Sequence, residues 1–235
     1  MRLLLLRHGQ TDGNTAGALD TAVPGLDLTD LGRRQADAAA QALADRGIDR
    51  IYVSTLARTH QTAAPLGALL DVAPQELDGL REISAGDFEM GSDHDSIAGY
   101  IGTIADWIER RYDVRMPGGE SGHEFLARYD AAVATIHAEL AAAGHDCALV
   151  VSHGAAIRTW VSARVADAES HARATDPLHN TACIELVGEP ATGWEVQAWH
   201  GEPVGGAFLD DATAPDPTGQ ATDDSAESWS GQSQN

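Results

Sequence analysis

The sequence predicts an α/β fold with three layers, in which helices cover both faces of a doubly wound, mostly parallel sheet. Two observations support this class. Short apolar runs alternate with helical segments along most of the 235-residue chain. The runs at 2–6 and 147–152 are apolar at nearly every position, which is typical of strands buried on both faces. The apolar fraction of 43% is sufficient for one globular core.

The first predicted strand, residues 2–6, contains four consecutive leucines and ends at Arg7-His8-Gly9. A cleaved signal peptide is the alternative, but its apolar region needs about 7 to 15 residues and a small-residue cleavage site. The leucine run stops at Leu6 and lacks such a site. We therefore expect a buried strand that carries Arg7 and His8 at its end.

The next elements are predicted from caps and breakers. Thr29 is a suitable N-cap for a helix that stops at Gly47. Then follow a strand at 50–54, a helix at about 56–70 and a short strand near 74–77. Pro65 lies inside that second helix and should kink or shorten it.

The second half of the chain continues the alternation after a less regular stretch. Residues 83–120 are irregular apart from a predicted helix at about 95–111. A long helix at 121–143, stopped by Gly144, leads into the strand 147–152. The last predicted elements are a helix that runs to about Val165 and two strands, ACIELVG and WEVQAW, that form an edge pair.

The charge of the chain limits its partners. The net charge is −21, and all fifteen basic residues are arginines. A strongly acidic chain is a poor partner for nucleic acid or anionic membrane, since both require cationic patches. The absence of lysine excludes a Walker A lysine and a lysine Schiff base. No apolar stretch is long enough to span a membrane, so we expect a cytoplasmic protein.

The composition changes near the C-terminus. From Glu202 onward the chain has seven acidic residues, no basic residue, and many Gly, Pro, Ser and Thr residues. Such a segment buries too little apolar surface to offset its ordering entropy. We therefore expect a globular domain at 1–202 and a disordered acidic tail at 203–235 without a catalytic role.

Four side chains that can bind phosphate or act as nucleophiles follow three of the predicted strands. Arg7 and His8 follow the first, Arg58 the second, and His153 the strand at 147–152. Ligands of open α/β sheets bind beyond the carboxyl ends of the strands, where Glu82 can also reach. A single histidine at a strand end is usually structural. Two guanidiniums, two imidazoles and a carboxyl group together predict a phosphate site that contains a nucleophile.

Several motifs resemble one family. LLRHGQTDGN is similar to the RHG[ET]xxN signature of the histidine phosphatase (phosphoglycerate mutase-like) superfamily. Its later motifs also have counterparts, in the same order: STLARTHQTA, LREISAGDFE, MPGGES and VVSHG. The resemblance covers about residues 1–200 and implies a phosphoglycerate mutase-like fold, with a lid insertion at 83–125.

The resemblance also implies roles for individual residues. His8 would be the phosphorylated nucleophile, and Glu82 the general acid. Arg7, Arg58 and His153 would form the phosphate pocket. Further substrate contacts would come from Gly9, Gln10, Thr11, Asn14 and Gly154. No cofactor or metal is implied.

Three arginines in the insertion have two interpretations. Arg110, Arg111 and Arg115 either bind a carboxylate or second phosphate of the substrate, or belong to a solvated helix end.

Electrostatics predict the charge states of two groups. The arginines should keep His8 neutral, because one guanidinium at about 4 Å disfavours the imidazolium by roughly 4 kcal/mol at an effective dielectric near 20. The same arginines should keep Glu82 ionised, with a pKa near or below its ordinary value, until a phosphate dianion binds.

The sequence favours the phosphatase branch of the family. The stretch after Glu82, ISAGDFEMGSDHDS, lacks the Arg-Tyr-Gly segment expected of mutases. The predicted function is metal-independent hydrolysis of a small phosphorylated metabolite through phosphohistidine. The alternatives are a cofactor-dependent phosphoglycerate mutase and a non-catalytic phospholigand-binding module. A homodimer is compatible with this fold class.

Overall fold

A six-stranded sheet forms the centre of the protein in the computed structural model, which describes residues 1–221. The strand order is β3-β2-β4-β1-β5-β6. The strands are β1 (Arg2–Arg7), β2 (Arg50–Val53), β3 (Gln75–Glu76), β4 (Cys147–Ser152), β5 (Cys183–Glu189) and β6 (Gly193–His200). The first four are mutually parallel, whereas β5 runs antiparallel to β1 and β6 runs antiparallel to β5. The prediction of a doubly wound, mostly parallel sheet is confirmed.

Seven α-helices connect or flank these strands in the described part of the chain. They are α1 (Asp12–Ala16), α2 (Asp30–Leu43), α3 (Ala57–Leu70), α4 (His94–Ile108), α5 (Gly122–Ala143), α6 (Gly154–Arg164) and α7 (Ala168–Arg173). Thr29 caps α2, and Gly144 ends α5 with a left-handed φ of 70°. The helix α3 continues past Pro65 to Leu70, so its predicted extent is confirmed and Pro65 does not shorten it.

The leucines of β1 show why the domain has three layers. Leu3 and Leu5 pack in one core with α4, α5 and α6, while Leu4 and Leu6 pack in a second core with α2 and α3. All four are at most 2% exposed. Burying one such side chain contributes roughly 1.5–3 kcal/mol. β1 is therefore firmly anchored from both sides, which fixes the position of the residues at its end.

The predicted insertion at 83–125 contains α4, whose inner face belongs to the first core. Ile97, Ile101, Ile104 and Trp107 are all buried there. No helix of residues 1–221 is long and apolar enough to cross a membrane.

The start of the predicted tail is packed against the domain. Residues 207–209 form a turn of 3-10 helix in which Leu209 is buried, and the Val204 amide donates to the Thr181 carbonyl at 3.0 Å. Asp216 is only 8% exposed. The predicted disorder is therefore wrong for residues 203–221, while the boundary at 202 stays a prediction. The composition argument treated every carboxylate as solvated, whereas Asp216 pairs with a buried arginine. Residues 222–235 lie outside the described part.

Candidate active site

The carboxyl ends of β1, β2 and β4 bring the predicted residues together. Arg7 ends β1 and is followed by His8, Arg58 lies in the first turn of α3 after β2, and His153 follows β4. These four residues are at most 2% exposed, and Glu82 is 3% exposed. The rings of the two histidines are 5.2 Å apart. A short sequence motif on each strand thus produces one buried cluster.

A backbone carbonyl fixes the orientation of the His8 ring. The Nδ1 atom lies 2.7 Å from the carbonyl oxygen of Gly9, so Nδ1 carries the proton as donor and Nε2 has a free lone pair. Burial lowers the pKa of His8 well below 6.5, and the nearby Arg58 and Arg7 lower it further. The prediction of a neutral His8 is confirmed, although burial contributes more than the arginines.

The second histidine is held by a hydroxyl group. Nε2 of His153 lies 2.8 Å from Oγ of Ser54, the residue that follows β2. Burial lowers the pKa of His153 well below 6.5, with Arg58 and His8 as the next causes. Both imidazoles are therefore neutral near pH 7.

Both arginines form ion pairs inside the domain. Nη1 of Arg58 donates to Oδ2 of Asp20 at 3.1 Å, and Arg7 donates to both carboxylate oxygens of Asp216 at 2.7 Å. Nε of each arginine is buried without a hydrogen-bond partner among residues 1–221, and so is Nδ1 of His153. A buried unsatisfied polar group costs about 1–3 kcal/mol. Three such groups around His8 indicate a site whose ligand supplies the acceptors.

The carboxyl group of Glu82 lies at the start of α6. It accepts hydrogen bonds from the amides of Ile83 at 2.9 Å, Ala156 at 2.8 Å and Ala155 at 3.3 Å. Burial raises the pKa of Glu82 above its ordinary value, although these amides, Arg58 and Arg7 oppose the shift. The expectation of a pKa near or below the ordinary value is therefore wrong, because desolvation outweighs the arginines. A raised pKa suits a group that must donate a proton.

The loop after His8 is held by its own hydrogen bonds. The Gly9 amide donates to Thr62 and the Gln10 amide to Gln35. Thr11 and Asn14 form a capping box at α1. Thr11 and Asn14 also line a small cavity beside His8 and Arg58.

Gly9 and Gly154 occupy tightly packed positions. A Cβ at Gly9 would lie 2.6 Å from the carbonyl oxygen of Gly32, so the loop packs directly against the start of α2. Gly154 is the first residue of α6 and follows His153. Substrate contacts for Gly9, Gln10, Thr11, Asn14 and Gly154 stay predictions.

The three arginines of the insertion do not belong to this cluster. Arg111 pairs with Asp106 and Glu109, and Arg115 pairs with Glu124. Arg110, Arg111 and Arg115 are all exposed. The partners of Arg111 and Arg115 are surface carboxylates, which agrees with the interpretation of a solvated helix end.

Three residues of the site had no recognisable signal in the sequence. Asp20 lies 38 positions before Arg58, Asp216 lies 209 positions after Arg7, and Ser54 lies 99 positions before His153. No local motif marks a pairing over such distances, and the composition placed Asp216 in the tail. Among residues 1–221, no three His, Cys, Asp or Glu side chains are grouped so that they could hold a metal ion.

A neutral, oriented imidazole beside two arginines and a protonatable carboxyl group defines a phosphoryl-transfer site. The profile of the histidine phosphatase superfamily (branch 1) matches residues 3–201. The chain therefore belongs to this superfamily. It is a phosphoric monoester hydrolase.

Curated relatives and solved structures agree with this membership. The chain is 41% identical over 218 residues to PE-PGRS family protein PE_PGRS11 of Mycobacterium tuberculosis, covering 87% of this chain but only 37% of that protein. It is 33% identical over 218 residues to glucosyl-3-phosphoglycerate phosphatase of the same organism, covering 85% of this chain and 94% of the relative.

The solved structures give the same result. The native mycobacterial glucosyl-3-phosphoglycerate phosphatase has a TM-score of 0.68 at 29% identity, over 85% of this chain and 98% of that one. A phosphoglycerate mutase from Bacillus anthracis has a TM-score of 0.71 at 21% identity, over 89% of this chain and 94% of that one. The latter supports the fold alone.

Proposed function

We propose that the chain hydrolyses a small phosphomonoester in two steps, with a phosphohistidine at His8 between them. One observation carries the assignment of His8. Its ring is fixed with Nε2 unprotonated, and three buried nitrogens without partners among the described residues surround it: Nε of Arg7, Nε of Arg58 and Nδ1 of His153. Phosphate oxygens accept hydrogen bonds from the two guanidinium N–H groups, and also from Nδ1 of His153 in the tautomer in which Ser54 donates to Nε2.

In the first step, Nε2 of His8 attacks phosphorus and the bond between phosphorus and the ester oxygen breaks. Glu82 donates its proton to the leaving oxygen, which departs as an alcohol. Arg7 and Arg58 stabilise the charge on the nonbridging oxygens, and in this buried site their effect is stronger than in water.

In the second step, a water molecule attacks phosphorus and the bond between phosphorus and nitrogen breaks. The Glu82 carboxylate accepts the proton of that water, which restores the protonated acid for the next turnover. Inorganic phosphate leaves and His8 returns to its neutral state. Because the burial of His8 favours the neutral ring, the free enzyme is ready for another attack.

The relatives suggest the class of substrate. The 33% identical relative that matches 85% of this chain is named for glucosyl-3-phosphoglycerate. We therefore place a phosphorylated glycerate bearing a sugar first among the candidate substrates. Smaller phosphorylated acids, such as 3-phosphoglycerate and phosphoserine, are the natural comparison compounds.

The test is release of inorganic phosphate from these compounds in excess chelator. Wild type, His8→Ala and His123→Ala are compared. His123 is the matched control, because its side chain is 63% exposed and lies outside the cluster. Its Nε2 atom contacts the surface residue Asp113. We expect chelator-resistant release by wild type and His123→Ala, and none by His8→Ala. Retained release by His8→Ala would refute the nucleophile, and phosphoryl transfer between phosphoglycerates without release would indicate a mutase.

A further inference from the structure

Residues 210–221, which we name the C-terminal strap, lie across the phosphate cluster. The strap is attached at several points along its length. Nε2 of Gln10 donates to Oδ2 of Asp211 at 2.9 Å, and the Asp216 amide donates to the Asn14 carbonyl at 3.1 Å. The buried Arg158 donates to the carbonyl of Gln220 at 2.7 Å. The strap is therefore part of the folded site rather than a loosely attached end.

The Asp216 carboxylate binds the residues that a substrate phosphate requires. Its Oδ1 accepts from Nη2 of Arg7 and from Nδ2 of Asn14, both at 2.7 Å, and its Oδ2 accepts from Nη1 of Arg7 at 2.7 Å. Two oxygens on the fork of a guanidinium form the same bidentate arrangement that a phosphate forms. Asp216 thus resembles an anionic ligand that is covalently part of the chain.

Hydrogen bonds occupy all four terminal N–H groups of Arg7, and three of them go to the strap. Besides the two bonds to Asp216, Nη1 donates to the carbonyl of Leu178 at 2.7 Å and Nη2 to the hydroxyl of Thr218 at 3.1 Å. Only the N–H at Nε remains. Arg58 differs, because it gives one hydrogen bond from each terminal nitrogen to Asp20, and its other N–H groups have no partner among residues 1–221. Arg58 can bind phosphate as it stands, whereas Arg7 cannot present its fork until Asp216 leaves.

The small space beside His8 also indicates that the strap must move before phosphate binds. The cavity lined by His8, Arg58, Asn14 and Thr218 has a volume of about 10 Å³. A cavity needs at least about 10–15 Å³ by this kind of measure to hold one water molecule. A phosphoryl group does not fit in a cavity of this volume, and Thr218 of the strap forms part of its wall.

We infer that Asp216 is an internal competitor of the substrate phosphate for Arg7 and Asn14. This inference rests on the proposed function, since it requires phosphate to bind at His8. An entering phosphomonoester displaces the Asp216 carboxylate, and residues 210–221 move away from Arg7. Displacement of the strap costs every phosphorylated ligand the same free energy, so the strap weakens binding of inorganic phosphate and of substrates alike. A substrate offsets this cost through the contacts of its other groups.

The first experiment measures binding of inorganic phosphate by calorimetry to full-length wild type, Asp216→Asn and Asp113→Asn. Asparagine keeps the shape of residue 216 but removes the charge from the pair. Asp113 is a fully exposed carboxylate and controls for the loss of one negative charge. We expect phosphate to bind Asp216→Asn about tenfold more tightly than wild type, because hydrogen bonds between charged groups are the strong ones. Asp113→Asn should match wild type.

The outcomes separate the two proposals. Equal or weaker phosphate binding by Asp216→Asn would overturn the competitor role and leave the phosphate site intact. Absence of phosphate binding in both wild type and Asp216→Asn would overturn the proposed function itself.

A second measurement uses wild type alone and does not depend on the folding of a variant. Amide hydrogen exchange is followed for a peptide covering 210–221, with and without saturating phosphate, and for a control peptide covering β6. Displacement of the strap predicts faster exchange in 210–221 when phosphate binds, with β6 unchanged. Slower exchange in 210–221 would show that the strap closes over phosphate as a lid, which would overturn the inference.

Discussion

Arg58 donates to Asp20 from both of its terminal nitrogens. Nη1 donates to carboxylate oxygen Oδ2 at 3.1 Å, and Nη2 donates to the backbone carbonyl of the same residue at 2.9 Å. Both side chains are buried, with 3% and 8% of their surfaces exposed. One residue therefore neutralises Arg58 and fixes the direction of its guanidinium, which leaves Nε for a ligand.

Replacing Asp20 with Asn should destabilise the folded protein. The substitution keeps the shape of the side chain but leaves Arg58 as an unneutralised buried charge. Removing one partner of a buried ion pair lowers the free energy of unfolding by about 3–5 kcal/mol. Because asparagine retains an acceptor, we expect a loss near 3 kcal/mol in the free energy of unfolding, measured by urea denaturation.

Asp27→Asn is the matched control for this variant. Asp27 accepts a hydrogen bond from Gln61 at an exposed position of the same loop, so its replacement should change stability by less than about 0.5 kcal/mol. Equal stability of Asp20→Asn and wild type would show that Asp20 does not neutralise Arg58.

The buried histidines should make stability depend on pH. The pKa values of His8 and His153 are well below 6.5 in the folded state, so the unfolded chain binds more protons below that pH. Their stabilising contribution is present above about pH 6.5 and is lost as the pH falls toward the folded pKa values. Each histidine contributes a slope of up to about 1.4 kcal/mol per pH unit in that window.

The variant His153→Gln should lose about half of this pH dependence between pH 6.5 and 5.5, because glutamine does not titrate. The exposed control His123→Gln should follow wild type. The free energy of unfolding from urea titrations at each pH provides the comparison. A slope for His153→Gln that equals the wild-type slope would contradict the lowered pKa of His153.

The sequence was sufficient to predict the sheet and the cluster of five residues at its edge, namely Arg7, His8, Arg58, Glu82 and His153. The strand β1 is a run of leucines that ends at Arg7, and His153 follows a similar run, so the local pattern placed both at one edge of the sheet. The pKa direction of Glu82 was not predictable, because it depends on burial among residues distant in the chain. The position of Asp216 was not predictable either, because the pairing of a tail carboxylate with Arg7 exists only after folding.

Removing the Ser54 hydroxyl should impair turnover without unfolding the protein. Oγ of Ser54 lies 2.8 Å from Nε2 of His153 and is the partner that orients that ring. In Ser54→Ala the ring loses this bond, and its Nδ1 is no longer directed at the ligand. We expect kcat/KM for the best phosphomonoester to fall about tenfold, which corresponds to one hydrogen bond of about 1.4 kcal/mol.

Ser96→Ala is a suitable control for Ser54→Ala, since Ser96 forms its hydrogen bonds to Asp93 at the exposed start of α4. A value of kcat/KM for Ser54→Ala equal to that of Ser96→Ala would show that His153 does not need Ser54 for its orientation.

The role of Glu82 can be tested through the leaving group. Glutamine in Glu82→Gln can still accept the amide hydrogen bonds of Ile83 and Ala156 through its carbonyl oxygen, but it cannot protonate a leaving oxygen. General acid catalysis typically contributes about 10²–10⁴-fold. We expect kcat/KM to fall by roughly that factor for an alkyl phosphate. It should change less than about tenfold for an aryl phosphate whose phenolate leaves without a proton.

The pH profile of the same variant adds a second criterion. A general acid must be protonated, so its contribution is present below its pKa and is lost as the pH rises through it. Burial raises the pKa of Glu82, which moves this loss to higher pH than for an ordinary carboxyl group. Glu82→Gln should therefore lose the basic limb of the kcat/KM profile for the alkyl phosphate and keep the acidic limb that reports protonation of His8. A basic limb that survives in Glu82→Gln would assign the proton donor to another group.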